Sequence, residues 1–274
     1  MMKIRALELV EHSLRIMWSA PFLCLVGFLV KLNVSPGRLF GDGALFSDLS
    51  PVIAVFGMLL VVLCLAMLQA LAGAHLITCA NLASERIPFR FSDGLRGATR
   101  AFPRMMGLSI LSIPIFLPAA CVGAYVYRSY RVGNPILIAT LVVCTLVFLF
   151  WAGATIRLAK RECVIELKSP LASLKGGLRI FASNPWSILV LWLTENALAV
   201  VLLVCLCAVG VILTLACTVG FGLAGMAVPW VLTSAGGGLM VAVAAGIAGG
   251  FSQTFWTLAY LKLAGSEQPA KDRE

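Results

Sequence analysis

Residues 169–186 read SPLASLKGGLRIFASNPW. Ser169 followed by Pro170 marks a helix start: the serine oxygen accepts from free first-turn amides, and proline fits where its missing N–H is not needed. Leu171, Leu174, Leu178 and Phe181 fall on one helical stripe, with Lys175 and Arg179 off it. Asn184-Pro185-Trp186 ends the segment and opens a long apolar run. The stretch predicts a short basic amphipathic helix on a membrane surface that turns through a proline into a membrane span. The paired Gly176-Gly177 predicts a bend or break within that helix.

The whole chain fits the same setting. Of its 274 residues 61% are hydrophobic and 12% charged, with a mean hydropathy of +1.00. A soluble domain cannot hide that much apolar surface, whereas a bilayer takes it. No polar segment is long enough for a separate soluble domain. The expectation is one integral membrane domain over 1–264, with a polar cytoplasmic tail at 265–274. The net charge of +9 does not point to nucleic acid, because the basic residues sit at the ends of apolar runs, as an orientation signal does.

Residues 3–18 form a first amphipathic segment, with Ile4, Leu7, Leu14, Met17 and Trp18 on or near one face. The short apolar run Pro21–Val34 follows and contains Lys31, which can snorkel to the far interface. A cleaved signal peptide is the weaker reading, given the acidic Glu8 and Glu11 and the lack of a small-x-small site after the run. A Gly-, Ser- and Asp-rich loop covers 35–50. Span two runs over about 51–80, with a small-residue stripe at Ala66, Ala70 and Ala74. Ser92-Asp93 starts the second basic segment. Phe91, Leu95, Ala98 and Phe102 make its apolar face, and Arg96, Arg100 and Arg104 repeat at four-residue spacing. Span three is about 105–127, with kinks expected at Pro114 and Pro118 and an aromatic belt at Tyr125, Tyr127 and Tyr130. Span four is about 134–159, span five 186–211 and span six 237–263, the last with a second stripe at Ala242, Gly246 and Gly250. Residues 212–236 are apolar, glycine-rich and uncharged: interfacial, re-entrant or a further crossing.

An internal repeat supports this parsing. Pro21, Pro103 and Pro185 recur at intervals of 82 residues, each after a basic amphipathic segment and before a span. Leu14-Arg15-Ile16 matches Leu178-Arg179-Ile180, and Phe150-Trp151 before Arg157-Leu158-Ala159 matches Phe255-Trp256 before Lys262-Leu263-Ala264. The predicted fold is an all-α membrane bundle of six transmembrane helices in three pseudo-repeats, about 1–83, 84–160 and 161–264, each with a preceding surface helix.

Orientation follows from the cations. With both termini cytoplasmic, only Lys31, Arg38, Arg128 and Arg131 of the 21 basic residues fall on the far side. The basic segments then meet anionic phospholipids of the cytoplasmic leaflet, each charge contributing on the order of 1 kcal/mol. Arg96, Arg100, Arg104, Lys175 and Arg179 are the candidate headgroup contacts, or simply set topology.

An amphipathic helix with a leucine stripe, a basic residue, an Asn-Pro-aromatic turn and a long span resembles a superfamily of bacterial six-span proteins. It includes the YciC-like inner-membrane proteins and the membrane domain fused to some glycerophosphodiester phosphodiesterases. The similar stretch is mainly Glu166–Leu193, about a tenth of the chain, with fainter copies upstream. The resemblance implies a six-span fold in a bacterial inner membrane. It does not imply phosphodiesterase activity, since the chain has no such domain.

Signals for chemistry are sparse. The nine cysteines are scattered, without a CxxC pair, and read as small apolar residues. Glu11-His12 is not part of an HExxH zinc motif, and no phosphate loop or Gly-x-Ser-x-Gly is present. No metal, cofactor or catalytic residue is expected. Glu195 stands out, roughly 13 Å into span five from Trp186 at about 1.5 Å per residue. A carboxylate at that depth must find a partner or stay protonated. Gln69, His75 and Gln253 fall at broadly similar depths, which predicts a buried polar site of Glu195, Gln253, Gln69 and His75: a proton or substrate site, or interhelical glue. The leading functional expectation is a non-enzymatic membrane protein with an envelope, lipid-related or accessory role. A permease for a small or lipid-like solute, using Glu195, is the alternative. An intramembrane enzyme ranks last, for want of a nucleophile–base pair.

Overall fold

The computed structural model describes residues 6–31, 51–129, 134–223 and 230–267. Its elements are all helical: α1 (Ala6–Ser19), α2 (Phe22–Lys31), α3 (Pro51–Ser84), α4 (Phe91–Ser129), α5 (Pro135–Ile165), α6 (Pro170–Ser183), α7 (Pro185–Leu223) and α8 (Trp230–Glu267). Five segments are long and apolar enough to cross a membrane: Leu59–Ser84, Phe91–Ser129, Pro135–Ile165, Pro185–Leu202 and Met240–Gly265. α1 and α2, bent by 111°, make a sixth if taken as one broken span. The architecture is consistent with an integral membrane protein. The loop at 35–50, Tyr130, Arg131, residues 224–229 and the tail beyond Glu267 lie outside the described residues.

Helix boundaries follow local chemistry. The Ala172 N–H donates to Ser169 Oγ at 3.4 Å, with Pro170 in the first turn of α6. Asn134 Oδ1 accepts from the Ile136 N–H at 2.9 Å ahead of Pro135. α6 ends at Asn184, and α7 begins at once with Pro185. α4 departs from expectation. Asp93 Oδ2 accepts from the Arg90 N–H at 2.8 Å, so the helix starts at Phe91 instead of at Ser92-Asp93. It also runs unbroken through Pro103, Pro114 and Pro118. The second basic segment and span three are therefore one helix, whereas Pro21 and Pro185 do stand at helix breaks. Span four likewise extends past Ala159 to Ile165. The 212–236 stretch is helical over most of its length: α7 continues to Leu223 and α8 starts at Trp230.

The amphipathic segments pack differently from their leucine stripes. Ser173, Gly177 and Ile180 are the buried residues of α6, while Leu171 is 60% exposed and Leu178 is also exposed. In α1 the buried set is Leu9, Ser13, Ile16 and Met17, while Leu7, Leu14 and Trp18 face outward. In α4 the small Gly94, Ala98 and Ala101 turn inward and Leu95 outward, while Phe91 at the start of the helix is partly exposed. Small residues let helix backbones approach, and bulky apolar ones are left for the surroundings.

This also explains Gly176-Gly177, where α6 is unbroken. A Cβ on Gly177 would lie 2.6 Å from the Thr155 carbonyl oxygen and 2.8 Å from the Ala159 nitrogen, so α6 rests directly on the α5 backbone. A Cβ on Gly176 would overlap the Glu162 carboxylate, which occupies that space. The glycines serve close approach instead of bending.

The two small-residue stripes have definite partners. Ala70 and Ala74 of α3 pack on Ala98, Ala101 and Met105 of α4. Gly246, Gly249 and Gly250 of α8 receive α2: a Cβ on Gly249 would lie 2.1 Å from the Gly27 oxygen, and one on Gly246 2.5 Å from the Cys24 oxygen. The main core gathers around the second half of α8. Phe255, Trp256, Ala259 and Tyr260 meet Leu9 and Ile16 of α1, Leu23 of α2, Leu76 of α3, Leu158 of α5 and Leu191 of α7. The opposite ends of the long helices expose their apolar side chains, among them Ile113, Leu117, Val143, Leu146, Val204 and Val211.

Candidate functional site

α5 brings Arg157 and Arg161 to one side, four residues apart, because Ala154, Leu158 and Ala159 bury that part of the helix. α7 faces it with Glu195, 8% exposed, and α8 with Ser252, Gln253 and Trp256. Arg157 Nη1 donates to Glu195 Oε2 in an ion pair. Trp256 Nε1 donates to the same oxygen at 2.9 Å, and Ser252 Oγ to Oε1 at 2.5 Å. The Arg157 guanidinium also lies over the Trp256 ring, 5.4 Å from its centroid. Three donors from two helices thus satisfy one carboxylate on a third. A buried carboxylate needs such compensation to stay charged in low dielectric.

Arg161 extends the cluster. Only 1% exposed, it donates to the Arg157 carbonyl at 2.6 Å and to Gln253 Oε1 at 2.7 Å. Its Nε has no hydrogen-bond partner among the described residues. The layer holds two guanidiniums against one carboxylate. It works as a charge clamp across α5, α7 and α8, acceptor-rich only where it is already bonded.

A second polar group lies at the α5–α6 link. Leu167 adopts a left-handed φ of 53°, and Lys168 follows it, placing Nζ 2.5 Å from Glu162 Oε1 and 2.6 Å from Glu166 Oε2. Tyr260 Oη of α8 donates to Glu166 Oε1. Partial burial by itself would raise the Glu166 pKa, but the hydrogen bonds from Lys168 and Tyr260 outweigh it and hold it below its ordinary 4.5. Hydrogen bonds to Glu162 and Glu166 hold Lys168 above its ordinary 10.5. These residues line an open cleft of about 670 Å³, whose rim carries Lys175 and Arg179.

No family model, curated protein or solved structure matches the chain. The functional argument therefore rests on its own residues.

The predicted polar site is brought together only in part. Gln253 joins through Arg161, not by touching Glu195. His75 lies elsewhere. Its ring sits 4.6 Å from the Phe91 centroid and 6.0 Å from that of Phe22, with Nε2 3.6 Å from Cys79 Sγ. Gln69 is half-buried on α3 and is not among the donors to Glu195. Equal depth is not proximity, because depth says nothing about which way a helix face points. The candidate headgroup cations divide between two helices: Arg96 and Arg100 exposed and Arg104 half-buried on α4, Lys175 and Arg179 exposed on α6. No group of His, Cys, Asp and Glu suited to a metal ion occurs among the described residues.

Sequence reasoning missed Arg157 as the counter-ion of Glu195, and with it Trp256 and Ser252. Ending span four at Ala159 puts Arg157 in its last turn, where it reads as a topology charge at the cytoplasmic end. The signal was present: an intramembrane acid requires a cation, and Arg157 is the first charge reached in the long apolar run that begins at Pro135.

Proposed function

We propose that this chain is a non-enzymatic integral membrane protein with a lipid-related, envelope or accessory role, acting through its basic surface helices at the cytoplasmic leaflet. α6 carries the reading. Its small residues grip α5, Leu171 and Leu178 face outward where acyl chains would lie, and Lys175 and Arg179 line an open cleft of about 670 Å³. Bulky apolar groups outside and cations at the rim are what an interfacial helix presents to an anionic membrane surface.

The arrangement proposed is six crossings in three pseudo-repeats, both termini cytoplasmic, in a bacterial inner membrane, as in the YciC-like proteins that the α6–α7 stretch resembles. Burial adds support to the repeat. Leu9-Ser13-Ile16, Gly94-Ala98-Ala101 and Ser173-Gly177-Ile180 are buried triplets of identical spacing, each with a small residue at its centre. Any packed helix face gives that spacing, so the central small residue carries the weight. The first and third triplets stand at the same distance from Pro21 and Pro185. The second lies one turn closer to Pro103, in keeping with a proline inside the helix instead of at a break.

The test is mass spectrometry of the intact protein released from nanodiscs containing anionic and zwitterionic phospholipids. Anionic lipid adducts retained by the wild type and lost on joint Lys175→Ala and Arg179→Ala substitution support the reading. Adducts unchanged by the substitutions, or absent from the wild type, count against it. A permease for a lipid-like solute is the second reading, favoured by the Glu195 carboxylate at the edge of an apolar cleft. Flux into proteoliposomes abolished by Glu195→Gln would establish it.

A further inference from the structure

The α6 cleft holds acceptors as well as cations. Lys175 and Arg179 reach it from α6, one turn apart. Glu162 reaches it from α5 and Glu166 from the residue that caps the end of α5. Lys168, between the two helices, also lines it. Three cations thus line the cleft with two carboxylates, an excess of one positive charge that suits a monoanion.

The two carboxylates are not equally available. The Glu162 side chain is 6% exposed and fills the space beside Gly176. The Glu166 side chain is 40% exposed. A carboxylate offers about four acceptor positions. Lys168 takes one on Glu166 Oε2 and Tyr260 takes one on Oε1, so Glu166 keeps capacity for further donors from the cleft. A ligand ammonium is a poor candidate, because Lys168 already stands between the two carboxylates and would repel it. A neutral hydroxyl donates without that repulsion. The cleft therefore combines a basic wall for an anion, an exposed acceptor for O–H groups and about 670 Å³ of room.

We propose that the α6 cleft binds the phosphodiester of a polyol, as in the headgroup of phosphatidylglycerol, with the phosphate on Lys175 and Arg179 and the headgroup hydroxyls donating to Glu166. This rests on the α6 reading and deepens it, since that reading asks only for an anionic lipid. Phosphatidylserine has the same net charge but brings an ammonium toward Lys168 and a carboxylate toward Glu166, so it fits less well.

The probes are phosphatidylglycerol, phosphatidylpropanol and phosphatidylserine with matched acyl chains. Each is placed in phosphatidylcholine nanodiscs with the full chain, and adducts are counted by mass spectrometry of the released protein. Phosphatidylpropanol keeps the phosphodiester charge and lacks the hydroxyls, so it tests the Glu166 contact without altering the protein. Phosphatidylglycerol adducts should exceed both others by about tenfold, as hydrogen bonds to a charged acceptor allow. Glu166→Ala should lower phosphatidylglycerol to the level of phosphatidylpropanol without reducing phosphatidylpropanol itself. Joint Lys175→Ala and Arg179→Ala substitution should remove both. Phosphatidylpropanol or phosphatidylserine at parity with phosphatidylglycerol, with all adducts lost on the joint substitution, overturns the polyol site and leaves the α6 reading standing. Adducts that survive the joint substitution overturn both. Soluble glycerophosphoglycerol offers the same chemistry without a membrane: a phosphatidylglycerol adduct that resists it supports the lipid as ligand, and displacement by it overturns the lipid as the source.

Discussion

Glu195 of α7 and Arg157 of α5 form an ion pair inside the helix bundle, and Trp256 of α8 donates to the same carboxylate oxygen. The pair joins three membrane-length helices at one point. Its energetics are asymmetric: a matched buried pair contributes little over an apolar replacement, but a single uncompensated member is costly.

Trp256→Phe keeps the ring under Arg157 and removes one donor to Glu195. A hydrogen bond to a charged group contributes about 1.5–3 kcal/mol, so a loss of stability near the lower end is expected, because Arg157 and Ser252 remain. Reversible unfolding in mixed micelles measures it. Ser252→Ala should cost a similar amount, and no loss in either variant would mean that the carboxylate is not held this way.

The α2–α8 contact depends on missing side chains. Gly27→Ala would place a methyl 2.3 Å from the Gly246 oxygen, and Gly249→Ala one 2.1 Å from the Gly27 oxygen. Both obstacles are backbone and cannot rotate away, so each change should destabilise by about 1–3 kcal/mol or more. Gly153→Ala, with nothing within 4 Å of its Cβ, is the control, and should stabilise by roughly 0.5–1 kcal/mol through helix propensity. Thermal unfolding of the three variants checks the order.

Gly176 and Gly177 separate by a double substitution. Gly176→Ala collides with the Glu162 carboxylate, a side chain, and Gly177→Ala with the α5 backbone. Adding Glu162→Ala should recover stability in the first variant and none in the second. Equal behaviour would contradict the seating of Glu162 against Gly176.

The α5–α6 link should respond to pH at both extremes. The folded pKa of Glu166 is lowered, so its contribution is full above the ordinary 4.5 and disappears as pH falls through the folded value. The Lys168 pKa is raised, so its contribution is full below 10.5 and is lost as pH rises through the folded value. Melting temperature should therefore decline below about 4.5 and above about 10.5. In Lys168→Met the alkaline decline should weaken, and the acid decline should shrink because Glu166 keeps only Tyr260 as a donor.

The membrane-length helices were legible because long apolar runs carry their own signal, and so was the α6–α7 junction, where Ser169-Pro170 and Asn184-Pro185 supply start and stop chemistry. Packing faces were not. Leu7 and Leu14 of α1, Leu95 of α4 and Leu171 and Leu178 of α6 point outward because the surroundings of a membrane helix are as apolar as its core, so hydrophobicity does not mark the inside. Size marks it, as Ser13, Ala98 and Gly177 demonstrate. Pro103 misled for a related reason: proline is tolerated within an apolar helix and need not end one. Glu195 was legible as an anomaly, but its partner Arg157 stood in the last turn of the expected span four and read as a topology charge, because α5 runs six residues further, to Ile165. His75, at matching depth, points into an aromatic pocket on another side of the bundle.

The most direct test of the charge clamp is a double-mutant cycle on Arg157→Met and Glu195→Leu, with unfolding free energy measured for all four proteins. Arg157→Met should cost about 3 kcal/mol by leaving Glu195 uncompensated, and the double variant should regain most of it. A coupling energy of about 2 kcal/mol or more is the predicted result. Additive single effects, with no recovery in the double variant, would contradict the pairing of Arg157 with Glu195 and the account built on it.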